Sequence, residues 1–178
     1  MKRSLAYPTL VAAGVVALDR WTKLWAGGEL ALRPPLRVLG DYVRLTYARN
    51  SGVAFGIGHG TGFPYYVFSL AAIAAILWMF ASGRVGPGRV QRLALGLVLG
   101  GAVGNLVDRL ATGEVVDFIE VGVPRWHWPI FNVADAAITV GVLLLALGWT
   151  RRPASRAAVP DPGAGPAQGD EPPGAAGS

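Results

Sequence analysis

The chain has 178 residues, of which 52% are hydrophobic and only 15% are charged. A soluble domain carries about 25% charged residues, and the mean hydropathy of +0.42 is correspondingly high, so the composition excludes an ordinary soluble enzyme. The sequence has no Cys and only two His, His59 and His127. This excludes thiol catalysis, disulfides and Cys-based metal sites, and it argues against a His-rich metal site.

Four apolar stretches predict membrane-spanning helices, because about 20 apolar residues in a helix cross the hydrocarbon core. They cover residues 6–25, 63–81, 90–107 and 131–149. The first stretch follows Lys2 and Arg3, as the apolar part of a signal peptide would. Its apolar part is long, however, and no clear cleavage site ends it, so we expect it to remain in the mature protein. The predicted fold class is an all-α membrane protein with four transmembrane helices.

The positions of Lys and Arg predict the orientation of these spans, since cytoplasmic connections carry the excess of positive charge. Eight lie before the first span, between the second and third spans, or after the fourth: Lys2, Arg3, Arg84, Arg89, Arg92, Arg151, Arg152 and Arg156. The other two connections, 27–62 and 108–130, hold six Arg and six acidic residues. We therefore expect both termini in the cytoplasm. The net charge of +5 reflects this topology, and no basic stripe predicts nucleic-acid binding.

The connection after the first span contains a hairpin signal. Residues 36–39 and 42–47 flank Gly40-Asp41, a dipeptide typical of two-residue turns. The second segment alternates apolar and polar side chains, as a half-buried strand does. An isolated hairpin is only marginally stable in water. We therefore expect a small extracytoplasmic β hairpin or sheet element that rests on the membrane surface or on the helices.

The C-terminal segment differs in composition from the rest of the chain. Residues 153–178 hold six Pro, five Gly and seven Ala, which offer little to bury and predict a disordered cytoplasmic tail. The predicted domain organisation is therefore a four-span membrane domain over residues 1–152, followed by the Pro/Gly/Ala-rich tail.

Polar residues are costly at membrane depth, so they are interpreted as functional there. In this chain they occur in few places. Asp19 and Lys23 lie four residues apart on the first span and share a helix face. The others lie near the end of the third span or the start of the fourth: Asn105, Asp108, Arg109, Asp117, Asn132 and Asp135. In the predicted orientation all of them lie at the extracytoplasmic end of the bundle. This predicts a functional site there.

Asp is the most frequent potentially reactive residue at this predicted site. Two carboxylates held close together share one proton, so the ionised one can take a proton from water while the other donates to a carbonyl oxygen. This chemistry hydrolyses a peptide without a metal or a covalent intermediate. Asp117 lies within an apolar run, and Asp135 lies within a helix, where a lone carboxylate is hard to justify. Asp19 has Lys23 nearby and Asp108 has Arg109, so an ion pair explains each of them. The residues alone favour Asp117 with Asp135 but leave other pairings open.

Two functions of other kinds stay open at this point. Ser51 with Lys23 would permit a Ser–Lys protease, although Asp19 already engages Lys23. A transporter or assembly factor is the other alternative. A transporter shows polar groups near the bilayer midplane and often inverted repeats, but the midplane stretches 10–18 and 73–79 are apolar.

Five segments resemble the successive motifs of lipoprotein signal peptidase, also called signal peptidase II. The segments are Asp19-Arg20-Trp21-Thr22-Lys23, Asn50-Ser51-Gly52-Val53-Ala54-Phe55, Gly100-Gly101-Ala102-Val103-Gly104-Asn105-Leu106-Val107-Asp108-Arg109, Val115-Val116-Asp117-Phe118 and Phe131-Asn132-Val133-Ala134-Asp135. They occur in the family's order and spacing and cover about residues 5–150. The C-terminal tail is not part of the family's pattern.

The resemblance implies a four-span aspartyl protease of the bacterial cytoplasmic (inner) membrane, with its active site at the extracytoplasmic face. The activity it implies is removal of the signal peptide from prolipoproteins, just before a Cys that carries diacylglycerol. By resemblance, Asp117 and Asp135 are the catalytic pair. Substrate-binding or supporting positions would be Asn50, Gly52, Asn105, Asp108, Arg109, Asn132, Asp19 and Lys23.

The resemblance also bears on ligands and partners. It implies a diacylglyceryl-modified prolipoprotein substrate, contact with membrane lipid and inhibition by the cyclic peptide globomycin. It implies no cofactor and no metal. We further expect a monomer and no nucleic-acid partner.

Overall fold

The computed structural model describes residues 5–52, 63–82 and 88–150. Within them the elements occur in the order α1 (Ala6–Glu29), β1 (Leu36–Leu39), β2 (Val43–Asn50), α2 (Tyr66–Ala81), α3 (Arg89–Thr112), β3 (Val115–Val123), β4 (Trp126–His127) and α4 (Val133–Thr150). Each helix overlaps one of the four predicted apolar stretches. The predicted tail, His59 and the motif residues Val53-Ala54-Phe55 lie outside the described residues.

Helix α3 is the centre of the bundle and packs against α1, α2 and α4. Its glycines make close contact possible on the side of α1, where a Cβ added at Gly96 or Gly100 would lie 2.8 Å or less from atoms of that helix. In the sequence, Gly96, Gly100 and Gly104 lie four residues apart, a stripe of small residues that predicts close helix packing. The structure confirms this prediction. On the opposite side, Leu95 and Val98 pack with Ile76 of α2 in an apolar cluster.

The helices bury polar side chains and expose apolar ones. Asp19 and Asn132 are among the largest fully buried side chains, whereas Leu10 is 71% exposed and Leu143 is 57% exposed. A soluble protein would reverse this distribution. An apolar exterior around a polar interior fits a bundle that faces lipid.

Length and composition separate α3 from the other helices. Among the described residues, α3 is the one helix that is long and apolar enough to cross a membrane, and α2 and Val133–Leu147 are shorter apolar helices. At about 1.5 Å per residue, the 16 residues of α2 extend about 24 Å, short of a hydrocarbon core of about 30 Å. Helix α1 has 24 residues but carries Asp19, Arg20 and Lys23. The predicted count of four spans therefore remains a proposal.

The strands form one antiparallel sheet in the order β1-β2-β3-β4. The predicted hairpin is confirmed, because β1 pairs with β2, but the predicted two-residue turn is wrong: Leu39 pairs with Val43, so Gly40, Asp41 and Tyr42 form a three-residue loop. Gly40 has a positive φ of 52° in this loop. The sheet is larger than the predicted hairpin, because residues 115–127 add two strands. Its inner face rests on the end of α1, where Phe118 packs against Ala26 and Leu30.

Close contact between α3 and α4 makes a prediction about stability. A Cβ at Gly101 would meet the Ala134 carbonyl oxygen and Ile138 of α4, whereas a Cβ at Gly14 would meet nothing within 4 Å. We expect Gly101→Ala to lower the free energy of unfolding by about 1–3 kcal/mol, because overpacking forces the helices apart. Thermal unfolding of the detergent-solubilised protein measures this effect. Gly14→Ala is the matched control and should not lower the midpoint; equal midpoints for the two variants would contradict the packing.

Candidate active site

Asp117 and Asp135 belong to different elements that the sheet brings together. Asp117 lies on β3 and Asp135 in the first turn of α4. A β-bridge pairs Ile119 with Phe131, and the amides of Phe118 and Ile119 both donate to the Phe131 carbonyl oxygen. This bridge holds Phe131, two residues before α4, alongside β3. The start of α4 is therefore fixed beside the Asp117 carboxylate.

Asn132 contacts both aspartates. It immediately precedes α4 and is completely buried. Its Oδ1 accepts from the Asp135 backbone N–H at 2.9 Å, and its own N–H donates to Asp135 Oδ2 at 3.3 Å. This reciprocal pair is the arrangement of a helix capping box. The Asn132 Nδ2 donates to Asp117 Oδ1 at 2.7 Å, so one asparagine links the two carboxylates.

A second asparagine, on the neighbouring strand, also donates a hydrogen bond to Asp117. Asn50 is the last residue of β2, and its Nδ2 donates to Asp117 Oδ2 at 3.1 Å. The Gly52 N–H donates to Asn50 Oδ1 at 2.9 Å, which fixes the Asn50 amide with its nitrogen toward Asp117. Arg109 Nη2 donates to the Gly52 carbonyl at 3.0 Å. The turn that presents Asn50 is thus tied to the end of α3.

A third asparagine, Asn105 of α3, donates a hydrogen bond to Asp135. Its Nδ2 donates to Asp135 Oδ1 at 2.8 Å, and its Oδ1 accepts from Lys23 Nζ at 3.0 Å. The same oxygen accepts from Asn132 Nδ2 at 3.3 Å. As a result, all four oxygens of the two carboxylates accept a hydrogen bond. Three of these bonds come from asparagine side chains and the fourth from the Asn132 backbone N–H.

Buried charges surround Lys23. Its ammonium lies 2.7 Å from Asp19 Oδ2 and 2.8 Å from Asp108 Oδ2. Asp19 Oδ1 accepts from the Ala134 N–H at 2.9 Å, so this carboxylate also satisfies an amide at the start of α4. Arg20 Nη1 approaches Asp108 Oδ1 at 3.4 Å. The sequence gives no signal for the contact between Arg20 and Asp108, although Arg20 lies within one of the five motifs. It also gives no signal that Asp19 caps the start of α4.

Three sequence arguments need correction. Asp108 was explained by its neighbour Arg109, but its partners are Lys23 and Arg20 of α1. Asp135 was considered hard to justify within a helix, but in the first turn it belongs to a capping box, where a carboxylate is favourable. The Ser–Lys alternative loses its base, because the Lys23 ammonium forms ion pairs with Asp19 and Asp108 and donates to Asn105 Oδ1.

The environment of Asp117 raises the pKa of its carboxyl from 3.8 to about 6. Burial is the largest cause, because it penalises the charged form. The negative charge of Asp135 raises the pKa further, whereas the hydrogen bonds from Asn50 and Asn132 oppose the rise. The two carboxylates are therefore close enough for the charge of one to favour the proton on the other.

A cavity of about 490 Å³ opens beside this cluster. Arg109 and Ser51 form the wall nearest to Asn50, and Phe63, Tyr65 and Tyr66 form an aromatic wall near the start of α2. An apolar pocket with a few convergent polar groups is the usual form of a ligand site.

The fold, which places a buried Asp117 near a half-buried Asp135, is that of a membrane-embedded enzyme. Two solved bacterial membrane enzymes share the fold at a TM-score of 0.71: one is 32% identical and the alignment covers 80% of this chain and 87% of that chain, and the other is 30% identical with 82% and 94% covered. The family model for signal peptidase (SPase) II matches residues 11–151. The chain belongs to the signal peptidase II family and is a protease.

Curated relatives agree with this assignment. A lipoprotein signal peptidase of Syntrophus aciditrophicus is 38% identical over 157 residues, which cover 85% of this chain and 97% of the relative. A lipoprotein signal peptidase of Syntrophotalea carbinolica is 44% identical over 146 residues, covering 80% and 89%. The resemblance noted in the sequence is thus confirmed.

The raised pKa of Asp117 makes a prediction about titration. In Asp135→Asn the neighbouring charge is removed, so the pKa of Asp117 should fall below about 6; ¹³C NMR of labelled Asp carboxyls measures it. Since the folded pKa exceeds the unfolded one, the contribution of Asp117 to stability is complete below about pH 4 and is lost as the pH rises through about 6. Asp41→Asn, in an exposed turn, is the control and should leave the titration unchanged. An unaltered titration in Asp135→Asn would contradict the proximity of the two carboxylates.

Proposed function

We propose that this chain is an aspartyl endopeptidase that removes the signal peptide from diacylglyceryl-modified prolipoproteins, cleaving just before the lipidated Cys. The family and the names of the relatives supply the substrate class. The catalytic pair is Asp117 and Asp135, and the other site residues orient or support this pair or bind substrate.

One observation carries the proposal: Asn132 donates to both carboxylates. Its side chain binds Asp117 Oδ1 and its backbone binds Asp135 Oδ2, at 2.7 and 3.3 Å. Two carboxylates bound to the same residue are held near each other, as a pair that acts on one water molecule requires. This arrangement supports Asp117 with Asp135 over the other pairings that the sequence left open.

The surroundings of the two carboxylates differ, which assigns them different roles. Asp135 lies in the first turn of α4, where its Oδ2 accepts a backbone N–H and the helix dipole favours a negative charge. Asp117 is buried on β3, and its raised pKa of about 6 keeps a proton on its carboxyl up to about pH 6. Asp135 is therefore the base and Asp117 the acid.

The reaction follows from these roles. Asp135 takes a proton from water as the water oxygen attacks the scissile carbonyl carbon, and Asp117 gives its proton to the carbonyl oxygen. When the tetrahedral intermediate collapses, Asp135 transfers its proton to the leaving nitrogen and Asp117 regains one from a hydroxyl of the intermediate. The C–N bond breaks, and both carboxyls return to their starting protonation.

The membrane contributes the positioning of the substrate. We propose four spans with both termini in the cytoplasm, which places the dyad at the extracytoplasmic face of the bacterial inner membrane. The signal helix of the substrate lies in the bilayer beside the bundle, and its lipid anchor sets the depth of the scissile bond. Holding reactants in this way supplies several kcal/mol of a reaction barrier. The cavity between Arg109 and Tyr66 offers room for the substrate chain beside the dyad.

Substitution of the dyad tests the proposal. Asp117→Asn and Asp135→Asn each remove one proton-transfer group, so we expect cleavage of a diacylglyceryl-modified prolipoprotein to fall by about a hundredfold or more. The assay uses the full chain in detergent or liposomes and follows the release of the signal peptide by mass spectrometry. A chelator should leave wild-type turnover unchanged.

A matched control lies on the same strand as Asp117. Glu120 pairs with Arg44 across the sheet at 2.7 Å, so Glu120→Gln makes the same chemical change on β3 away from the dyad and should keep nearly full activity. Wild-type turnover by either Asp→Asn variant would overturn the dyad. Inhibition by a chelator would replace this mechanism with a metal-dependent one.

A further inference from the structure

The ammonium group of Lys23 is enclosed by polar groups of the protein. The side chain is 2% exposed, and Nζ forms ion pairs with Asp19 Oδ2 at 2.7 Å and Asp108 Oδ2 at 2.8 Å. It also donates a hydrogen bond to Asn105 Oδ1 at 3.0 Å. A lysine ammonium has three N–H donors and no acceptor, so its partners can only be acceptors, and its burial keeps it away from a substrate.

This ammonium, with a longer contact from Asn132 Nδ2 at 3.3 Å to the same oxygen, determines which way the Asn105 amide points. An amide has a donor end and an acceptor end that exchange places when the group rotates by half a turn. Because Lys23 can only donate, the Asn105 oxygen must face it, and the nitrogen then faces Asp135 Oδ1 at 2.8 Å. The reversed amide would place N–H against the ammonium and oxygen against the carboxylate. Both contacts would be repulsive.

We propose that Lys23 is a positioning residue for the peptidase reaction, which fixes the Asn105 amide so that it donates to Asp135 and holds this carboxylate in the orientation needed to accept the water proton. This inference rests on the proposed function, in which Asp135 is the base. Lys23 itself contacts neither the substrate nor the attacking water. Its effect passes through one hydrogen bond, from Asn105 Nδ2 to Asp135 Oδ1.

The buried carboxylates around Lys23 dictate how it must be tested. Removing the ammonium alone would leave Asp19 and Asp108 without their buried cation, and uncompensated buried charge is strongly destabilising. Replacing Lys23 and Asp19 together by neutral side chains removes one of these two charges, and Asp108 keeps Arg20 Nη1 at 3.4 Å. In Lys23→Gln with Asp19→Asn, an amide nitrogen can still donate to Asn105 Oδ1. In Lys23→Met with Asp19→Asn, the side chain is of similar length but has no donor.

We call these double variants the Gln pair and the Met pair after the residue at position 23. They differ only in the donor that faces Asn105. We expect kcat of the Met pair to fall about ten- to a hundredfold below that of the Gln pair, because a misplaced catalytic group costs this much. KM should stay within about twofold, since the buried ammonium contacts no substrate. The assay is cleavage of a diacylglyceryl-modified prolipoprotein by the full chain in detergent. Thermal unfolding gives the folded fraction used to correct kcat.

Asn105→Ala completes the test. If Lys23 acts through Asn105, adding Asn105→Ala to the Met pair should lower kcat no further than Asn105→Ala does alone. Losses that multiply, equal kcat in the Met and Gln pairs, or an effect on KM alone would each overturn the inference. If the Met pair does not fold, the Gln pair decides: a loss as large as that of Asn105→Ala would overturn it, and a loss below about tenfold would support it.

Wild type and Asp135→Asn in the same assay separate this inference from the proposed function. An active Asp135→Asn variant, or a wild type that does not cleave, would overturn the proposed function and the inference with it. If those two behave as expected and the Lys23 pairs do not differ, the inference alone is wrong.

Discussion

The structure depends on the need to satisfy carboxylates at one end of an apolar bundle. A buried charge is stable only when it is paired or hydrogen-bonded. The buried Asp117 and the half-buried Asp135 accept hydrogen bonds from three asparagines, Asn50, Asn105 and Asn132. A fixed donor orients each amide: the Gly52 N–H, the Lys23 ammonium and the Asp135 N–H. The proposed catalytic pair is therefore held in place by the fold itself.

The fold explains why these donors meet. Close packing of the α3 glycines brings α1 near α3, so that Lys23 reaches Asn105 and Gly104 lies against the Asp19 carboxylate. The sheet supplies the rest of the site, because β2 ends in Asn50 and β3 carries Asp117. The bridge between Ile119 and Phe131 then joins the sheet to the start of α4. Packing, strand register and helix capping thus converge on the same few atoms.

Much of this arrangement could be predicted from the sequence, because its signals are local. Apolar length predicts the four helices, Gly40-Asp41 predicts the first hairpin, and the four-residue spacing predicts the contact between Asp19 and Lys23. The distribution of Lys and Arg also places the polar residues together at one end of the bundle. Such predictions need only helix periodicity, turn chemistry and the charge of the connections.

The rest depends on contacts between residues that are distant in sequence. Strand β3 is a mostly apolar run whose pairing with β2 no local signal indicates. Asp108 was paired with Arg109, but adjacent residues on a helix do not face each other, and its partner Lys23 lies on another helix. Amide orientation is the least predictable feature, since it depends on which donor arrives from across the fold.

Solid-state NMR of the protein in lipid, with ¹³C in the Asp carboxyls and ¹⁵N in the Asn amides, tests the central claim most directly. Dipolar dephasing reports which amide nitrogens lie within hydrogen-bond range of each carboxyl carbon, and Asp117→Asn and Asp135→Asn assign the two signals. We expect two asparagine side-chain nitrogens, those of Asn50 and Asn132, at Asp117 and one, that of Asn105, at Asp135. Carboxyl carbons that show no asparagine nitrogen nearby would contradict the account.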